Sequence, residues 1–325
     1  LAIEGDACFE RVDTGFKIKA VYAILAWGEV NMTEKDLQAR LLDGTATANS
    51  IKEGLAEQIR SFTSEGNRSP GLAVIIVGDD PASHIYVKNK IKACEKAGIA
   101  SFHFPFPADA PPNVVLDKIH ELNADPSVDG ILVQLPLPKH LDSQQILAAI
   151  DPAKDADGLH SFNLGLLTAG RPGPRPCTPL GVITILERYG VRFEGVNAVV
   201  IGRSNLVGKP VALMLLEKNA TVTMCHSRSI DLEKIAKGAD LLVVAAGKPQ
   251  LVKGHWIKPG AVVVDVGIHR LEDGHGQSKL VGDVDFAAAQ HASMITPVPG
   301  GIGPMTIAML LSNTVDAYKR TMKHS

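Results

Sequence analysis

The chain has 325 residues, is 45% hydrophobic and carries a formal net charge of -2. That length exceeds what one hydrophobic core usually serves, so two domains are expected. The near-neutral balance, with no long basic block, argues against a nucleic-acid-binding surface and favours small polar or anionic metabolites as partners.

Residues 1–31 carry scattered acids (Glu4, Asp6, Glu10, Asp13), which a transit peptide avoids, and their longest apolar run, AVYAILAW at 20–27, is too short to span a membrane. This segment is expected to be a leader ahead of a natural start at Met32. No membrane partner is expected. Cys8, Cys94, Cys177 and Cys225 form no CxxC pair and no zinc spacing, which fits a reducing, cytoplasmic compartment.

From Met32 onward, helical patterns alternate with short β-branched runs bounded by Gly and Pro, the signature of parallel α/β units. The first block holds strand-like LAVIIVG (72–78), a helix over about 83–97, SFHFPF (101–106), a helix in PPNVVLDKIHELNAD (111–125) and ILVQLPLP (131–138). TAGRPGPRP (168–176) follows, and its Gly and Pro density marks a linker or loop. The second block repeats the theme with NAVVIG (197–202), a helix over about 207–217, ATVTMCH (220–226), ADLLVVAAG (239–247) and AVVVDVG (261–267). The last segment, PMTIAMLLSNTVDAY (304–318), begins with Pro at a first helical turn and has space to return to the first block.

In the first block, DPASHIYVKNKIKAC (80–94) places several lysines behind a tyrosine, and helical geometry separates them. At 100° per residue Val87, Ile91 and Cys94 cluster on the face to be buried, while Lys88, Lys92 and Lys96 fan over the opposite, solvated side. Lys90 falls on a flank beside the apolar face, one turn after Tyr86, where catalysis and snorkelling at a helix edge both remain open. Ile85 lies on the lysine side and does not fit the wheel. Gln134, inside the apolar run ILVQLPLP, needs hydrogen-bond partners if buried, and neighbouring backbone serves as well as a functional group.

In the second block, NAVVIG runs into GRSNLVGKP (202–210), a glycine turn ahead of a helix N-terminus able to hold a pyrophosphate. Ser204 stands where GxGxxG has its second glycine, so the fingerprint is imperfect. The next strand ends in CHSRS (225–229), with Ser227 and Arg228 where an NAD site places an acid, and Arg203 is available from the first turn. Arginine and hydroxyl suit a 2′-phosphate, which favours NADP over NAD. Ordinary surface charge is the competing account of the two arginines.

Taken together, VGDDPASHIYVKNKIKAC, DGILVQLPLPKHL, KDADGLHSFNLG, RPCTPLGV, GRSNLVGKPVA and ITPVPGGIGPMTIAMLL closely resemble the bifunctional methylenetetrahydrofolate dehydrogenase/cyclohydrolase family, in order over about 41–318. The resemblance implies two α/β domains with folate bound in the cleft between them, in a homodimer. The catalytic folate-binding domain would span 32–160, completed by a C-terminal helix within 304–325, and a Rossmann-like NADP domain would span 176–300.

The resemblance further implies oxidation of 5,10-methylenetetrahydrofolate with NADP+ and hydrolysis of the methenyl product to 10-formyltetrahydrofolate. By motif match Tyr86 would stack on the folate, Lys90 act as general acid/base, Gln134 hold that lysine and Asp157 bind the pterin. Ser83, Leu135, Pro136, Pro299, Gly300 and Gly301 would line the same site. The cofactor would lie against Gly202, Arg203, Ser204, Val207 and Gly208 of the first turn and His226, Ser227 and Arg228 of the next. Gly247, Val266, Gly267 and Ile268 after the last two strands would complete its site. No metal is expected.

The residue types suit that chemistry. Hydride transfer needs chiefly alignment, which an aromatic stack supplies. A cationic methenyl substrate disfavours a neighbouring ammonium, so Lys90 can act as a base without a carboxylate partner. His84, His226 and Cys177 are read as local structure rather than catalysts. A monofunctional dehydrogenase and an NADP-binding regulatory protein without turnover stay open as alternatives.

Overall fold

The computed structural model describes residues 39–272 and 278–322, so the expected leader at 1–31 lies outside the described residues. The described chain enters through β1 (Arg40–Leu41) and α1 (Gly44–Ser64), which the Asp43 carboxylate caps by accepting from Ala46 N at 2.9 Å. Next come β2 (Gly71–Val77), α2 (Pro81–Ala97), β3 (Ala100–Phe106), α3 (Pro112–Ala124) and β4 (Gly130–Val133). The three strands β2 to β4 form a parallel sheet in the order β3-β2-β4. Every residue of β2 is buried, as a central strand covered on both faces requires. Its two-residue period sorts the side chains: Leu72, Val74 and Ile76 join the core under α1 and α2, while Ala73, Ile75 and Val77 meet Val115, Ile119 and Leu122 of α3.

The apolar run expected as a strand over 131–138 stops pairing at Val133. Pro136 and Pro138 have no N–H to offer a ladder. Gln134 is the last residue held, its N–H donating to Ile75 O at 2.8 Å.

Three helices follow, α4 (Ser143–Ala148), α5 (Ser161–Thr168) and α6 (Cys177–Arg188), with the Gly- and Pro-rich stretch irregular between the last two. The remaining elements are β5 (Asn197–Ile201), α7 (Gly208–Glu217), β6 (Thr221–Cys225), α8 (Leu232–Lys237), β7 (Leu241–Val244), β8 (Val262–Asp265), the hairpin of β9 (His269–Glu272) and β10 (Ser278–Val281), β11 (Met294–Ile295) and α9 (Ile302–Met322). Five of these strands, joined at one edge by β1, make a wholly parallel six-stranded sheet ordered β1-β11-β8-β7-β5-β6. This is the Rossmann-like arrangement expected of the second block.

From β5 the chain steps outward to β6 and then crosses back to β7, so the strand order reverses between β5 and β7. In open α/β sheets ligands bind outside the carboxyl ends of the strands at such a reversal. The turn after β5 and the loop after β7 therefore face a common crevice.

Helix α9 packs on α6 and α1 and also reaches α2 and β4. Leu310, Leu311 and Val315 are buried on it, each contributing roughly 1.5–3 kcal/mol of apolar transfer free energy before ordering costs. Tyr318 is buried too, and its hydroxyl donates to Arg68 O at 2.6 Å just ahead of β2. Strands β1 and β11, the β9–β10 hairpin and helices α1, α4, α5, α6 and α8 had no counterpart in the sequence reading; for β1 and β11 the reason is that two-residue strands carry no detectable period.

Candidate active site

Helix α2 starts where Asp80 accepts from Ser83 N (2.8 Å) and Ser83 Oγ (2.7 Å), with Pro81 in its first turn, and ends at Gly98, whose φ of 82° is left-handed. Those two ends fix which way its faces point. Lys88, Lys92 and Lys96 are exposed, as the wheel requires, and Ile85 is exposed beside them. Lys90 is 7% exposed, and its Nζ donates to Gln134 Oε1 at 3.0 Å. The glutamine is itself held, since its Nε2 donates to Leu135 O at 2.6 Å. A neutral acceptor thus orients the amine at the end of β4.

Both side chains open onto a cavity of about 180 Å³, whose wall also includes Leu135, Asp157, Cys177 and Val207. Leu206 and Val207 come from the turn after β5, so one cavity meets the three-stranded layer and the switch-point turn. Asp157 is set by the turn before it. Buried Asp155 accepts from Gly158 N (3.0 Å), His160 N (2.8 Å) and Asn163 Nδ2 (2.9 Å), and burial pushes its carboxyl above the usual range despite those donors. Gly158, at φ 72°, leaves no room for a Cβ, which would lie 2.3 Å from the Arg175 carbonyl carbon.

Cys177 caps the far side of the cavity. Its N–H donates to Asp157 O at 3.1 Å, its Sγ donates to Ala156 O at 3.3 Å, and Asn313 of α9 donates to Ala156 O at 2.9 Å and Arg175 O at 3.0 Å. Burial, reinforced by the Asp157 charge, raises the thiol well above its ordinary value. It is therefore a protonated packing residue at neutral pH.

Not every residue expected at the folate site lies in this wall. Lys90, Gln134, Leu135 and Asp157 do; Ser83, Tyr86, Pro136, Pro299, Gly300 and Gly301 do not. Ser83 is occupied in the helix cap, while Tyr86 is 38% exposed one turn before Lys90. The 299–301 turn is pinned to the start of α1, where Thr45 N donates to Gly300 O at 3.0 Å. Thr178, Thr306 and Leu206 line the cavity without having been anticipated. The motifs RPCTPLGV, GPMTIAM and GRSNLVGKP contained them, yet no chemical signal distinguished them from their neighbours.

The dinucleotide fingerprint resolves at its odd residue. Ser204 Oγ accepts from Val207 N at 3.1 Å and Gly208 N at 3.4 Å, so the serine closes the turn into α7. Close backbone approach is carried by the glycines: a Cβ on Gly208 would lie 2.2 Å from Gly202 O, and one on Gly202, at φ 132°, would lie 2.1 Å from Ala245 O. This cradle, at the N-terminus of a ten-residue helix and beside the β5/β7 reversal, fits a pyrophosphate. Arg203, Ser227 and Arg228 are exposed at the carboxyl ends of the adjacent strands β5 and β6. His226 Nδ1 accepts from Arg228 N at 3.2 Å, a local bond in the same loop, and His84 similarly contacts Gly78 O at 3.2 Å. Gly247, Val266, Gly267 and Ile268 follow β7 and β8 on the same side of the sheet.

Comparison with known proteins matches both halves. Residues 42–157 fit the model of the tetrahydrofolate dehydrogenase/cyclohydrolase catalytic domain, and residues 176–322 fit that of its NAD(P)-binding domain. The chain is 55% identical over 287 residues to the bifunctional protein FolD of Bordetella avium, covering 88% of this chain and 99% of that one. The crystal structure of the bifunctional FolD of Campylobacter jejuni superposes with a TM-score of 0.84 at 50% identity, over 87% of this chain and 99% of that one. The Trypanosoma brucei FolD, complexed with NADP cofactor and inhibitor, superposes with a TM-score of 0.84 at 40% identity, over 88% and 99%. The chain belongs to the tetrahydrofolate dehydrogenase/cyclohydrolase family.

Proposed function

We propose that this chain oxidises 5,10-methylenetetrahydrofolate to the 5,10-methenyl cation with NADP+ and hydrolyses the cation to 10-formyltetrahydrofolate. The observation that carries this reading is the buried Lys90–Gln134 pair in a cavity whose wall continues into the dinucleotide turn. Family membership supports both activities, and the NADP-bound trypanosomal relative supports the cofactor.

NADP+, when bound, supplies the acceptor for the hydride that leaves the methylene carbon. Gly202, Ser204, Val207 and Gly208 would hold its pyrophosphate, and Arg203, Ser227 and Arg228 its 2′-phosphate. Tyr86 would stack on the folate from the exposed edge of α2, and Asp157 would accept hydrogen bonds from the pterin. Hydrolysis then needs proton movement at one place. A water oxygen adds to the methenyl carbon as Lys90 takes one of the water's protons; the bond from that carbon to N5 then breaks, N5 receives that proton from Lys90, the remaining hydroxyl proton is released to solvent as the C=O forms, and the formyl group stays on N10. Gln134 orients the amine for both transfers.

The division into a catalytic domain over 32–160 completed by the C-terminal helix, and an NADP domain over 176–300, belongs to the same proposal. So do a homodimer and a cytoplasmic setting, the latter supported by the free, buried Cys94, Cys177 and Cys225. The test is direct. Adding methylenetetrahydrofolate to protein and NADP+ should produce NADPH with a transient methenyl absorbance that then decays. Absence of NADPH sinks the reading, and a methenyl signal that persists sinks its second half.

A further inference from the structure

Beyond the cavity, the carboxyl ends of β7 and β8 hold two buried carboxylates that the proposed chemistry does not use. Asp283 is fully buried. Its Oδ2 accepts from Ala246 N (2.6 Å) and Gly247 N (2.9 Å), and its Oδ1 from Lys248 N (2.9 Å) and His269 Nε2 (2.7 Å). Asp265 accepts in turn from Gly267 N (3.0 Å), Asp283 N (2.9 Å) and Val284 N (2.8 Å).

Two glycines let the backbone close on these groups. A Cβ on Gly267 would lie 2.4 Å from Asp283 Cγ, and one on Gly282 would lie 1.9 Å from Asp265 Oδ2. On the other side of the loop after β7, the Ala245 carbonyl occupies the space that a Cβ on Gly202 would need. Asp283 thus ties together the loop that abuts the pyrophosphate turn and the segment that follows β8.

An ionised carboxylate is costly to bury, and an apolar side chain would fill the same space without that cost. What the carboxylate gives instead is a fixed geometry, because three successive amides and an imidazole all aim at one group. We propose that Asp283 is a positioning residue for hydride transfer, holding the loops after β7 and β8 as the wall of the switch-point crevice that receives the cofactor. This rests on the cofactor placement proposed above. Asp283 is not in the wall of the Lys90 cavity, so its role is separable from hydrolysis.

The experiment compares the two activities in the full chain. Asp283→Asn keeps the size of the side chain but turns one acceptor into a donor facing N–H groups. The KM for NADP+ should rise about tenfold or more, while hydrolysis of methenyltetrahydrofolate without NADP+ stays within about twofold of wild type. His269→Gln, which keeps a donor, should remain near wild type, and His269→Ala, which removes one donor of the set, should raise the KM by a smaller factor. If Asp283→Asn does not fold, His269→Ala carries the test, and an unchanged KM there overturns the proposal. Equal loss of both activities in Asp283→Asn also overturns it, in favour of a general structural role. Arg203→Ala run alongside separates the failures. A raised KM there with none in Asp283→Asn removes the positioning role alone, and no change in either removes the cofactor placement with it.

Discussion

Lys90 differs from the other lysines of its helix by burial and by one bond to Gln134, and that difference is what makes it a candidate for proton transfer. Lys90→Met preserves much of the apolar stem and removes the amine. Hydrolysis should fall at least about 100-fold, the lower range for loss of a general acid/base, with a smaller effect on NADPH formation. Decay of methenyl absorbance at the wild-type rate in that variant would refute the role. A second residue makes a pH prediction. Burial pushes the Asp265 carboxyl up to about 6, against backbone N–H donors that pull it down. The folded protein therefore binds a proton between about pH 4 and 6 that the unfolded chain releases, so the contribution of this group to stability falls as pH rises through that window. Relative to Asp265→Asn, wild type should lose about 2 kcal/mol between pH 4.5 and 7 in urea unfolding. A constant difference between the two proteins would show that the carboxyl titrates normally.

At the scale of elements, α2 was legible over about 83–97 from its apolar stripe, and the wheel separated Lys90 from the solvated lysines correctly. The Asp80 cap and Pro81, which open the helix two residues earlier, and the Gly98 stop were found in the structure. The turn before α7 was less legible, since Ser204 interrupts the glycine pattern. Its hydroxyl accepts the amides that open the helix, so a serine serves at that position where a second glycine was sought. The irreplaceable residue is Gly208, whose missing Cβ leaves space for the Gly202 carbonyl. Gly208→Ala should force the turn open and raise the KM for NADP+ about tenfold or more, equivalent to about 1.4 kcal/mol. Hydrolysis of added methenyltetrahydrofolate is the control activity, and an unchanged KM would show that the turn yields without consequence.

Across the whole molecule, α9 joins layers far apart in sequence. Asn313 bonds to the carbonyls of Ala156 and Arg175 beside the cavity, and Tyr318 reaches Arg68 ahead of β2. Tyr318→Phe should cost about 1 kcal/mol by leaving the Arg68 carbonyl without this donor, and Tyr318→Ala about 3–5 kcal/mol by emptying a packed site. Equal unfolding midpoints for wild type and both variants would remove α9 from the stability of this layer. The sequence by itself determined the α/β class, the place of most strands longer than two residues and of helices α2, α3, α7 and α9, the glycine turn and the singular position of Lys90. Those features depend on local periodicity, capping and backbone sterics, which neighbouring residues encode. The meeting of Gln134 with Lys90 across 44 positions was expected through the family resemblance alone, and only the tertiary structure decided that β1 joins the far sheet beside β11 and that Asp283 gathers the loops after β7 and β8. Such pairings depend on where separate segments come to rest, and one carboxylate or two paired residues leave no period along the chain by which to find them.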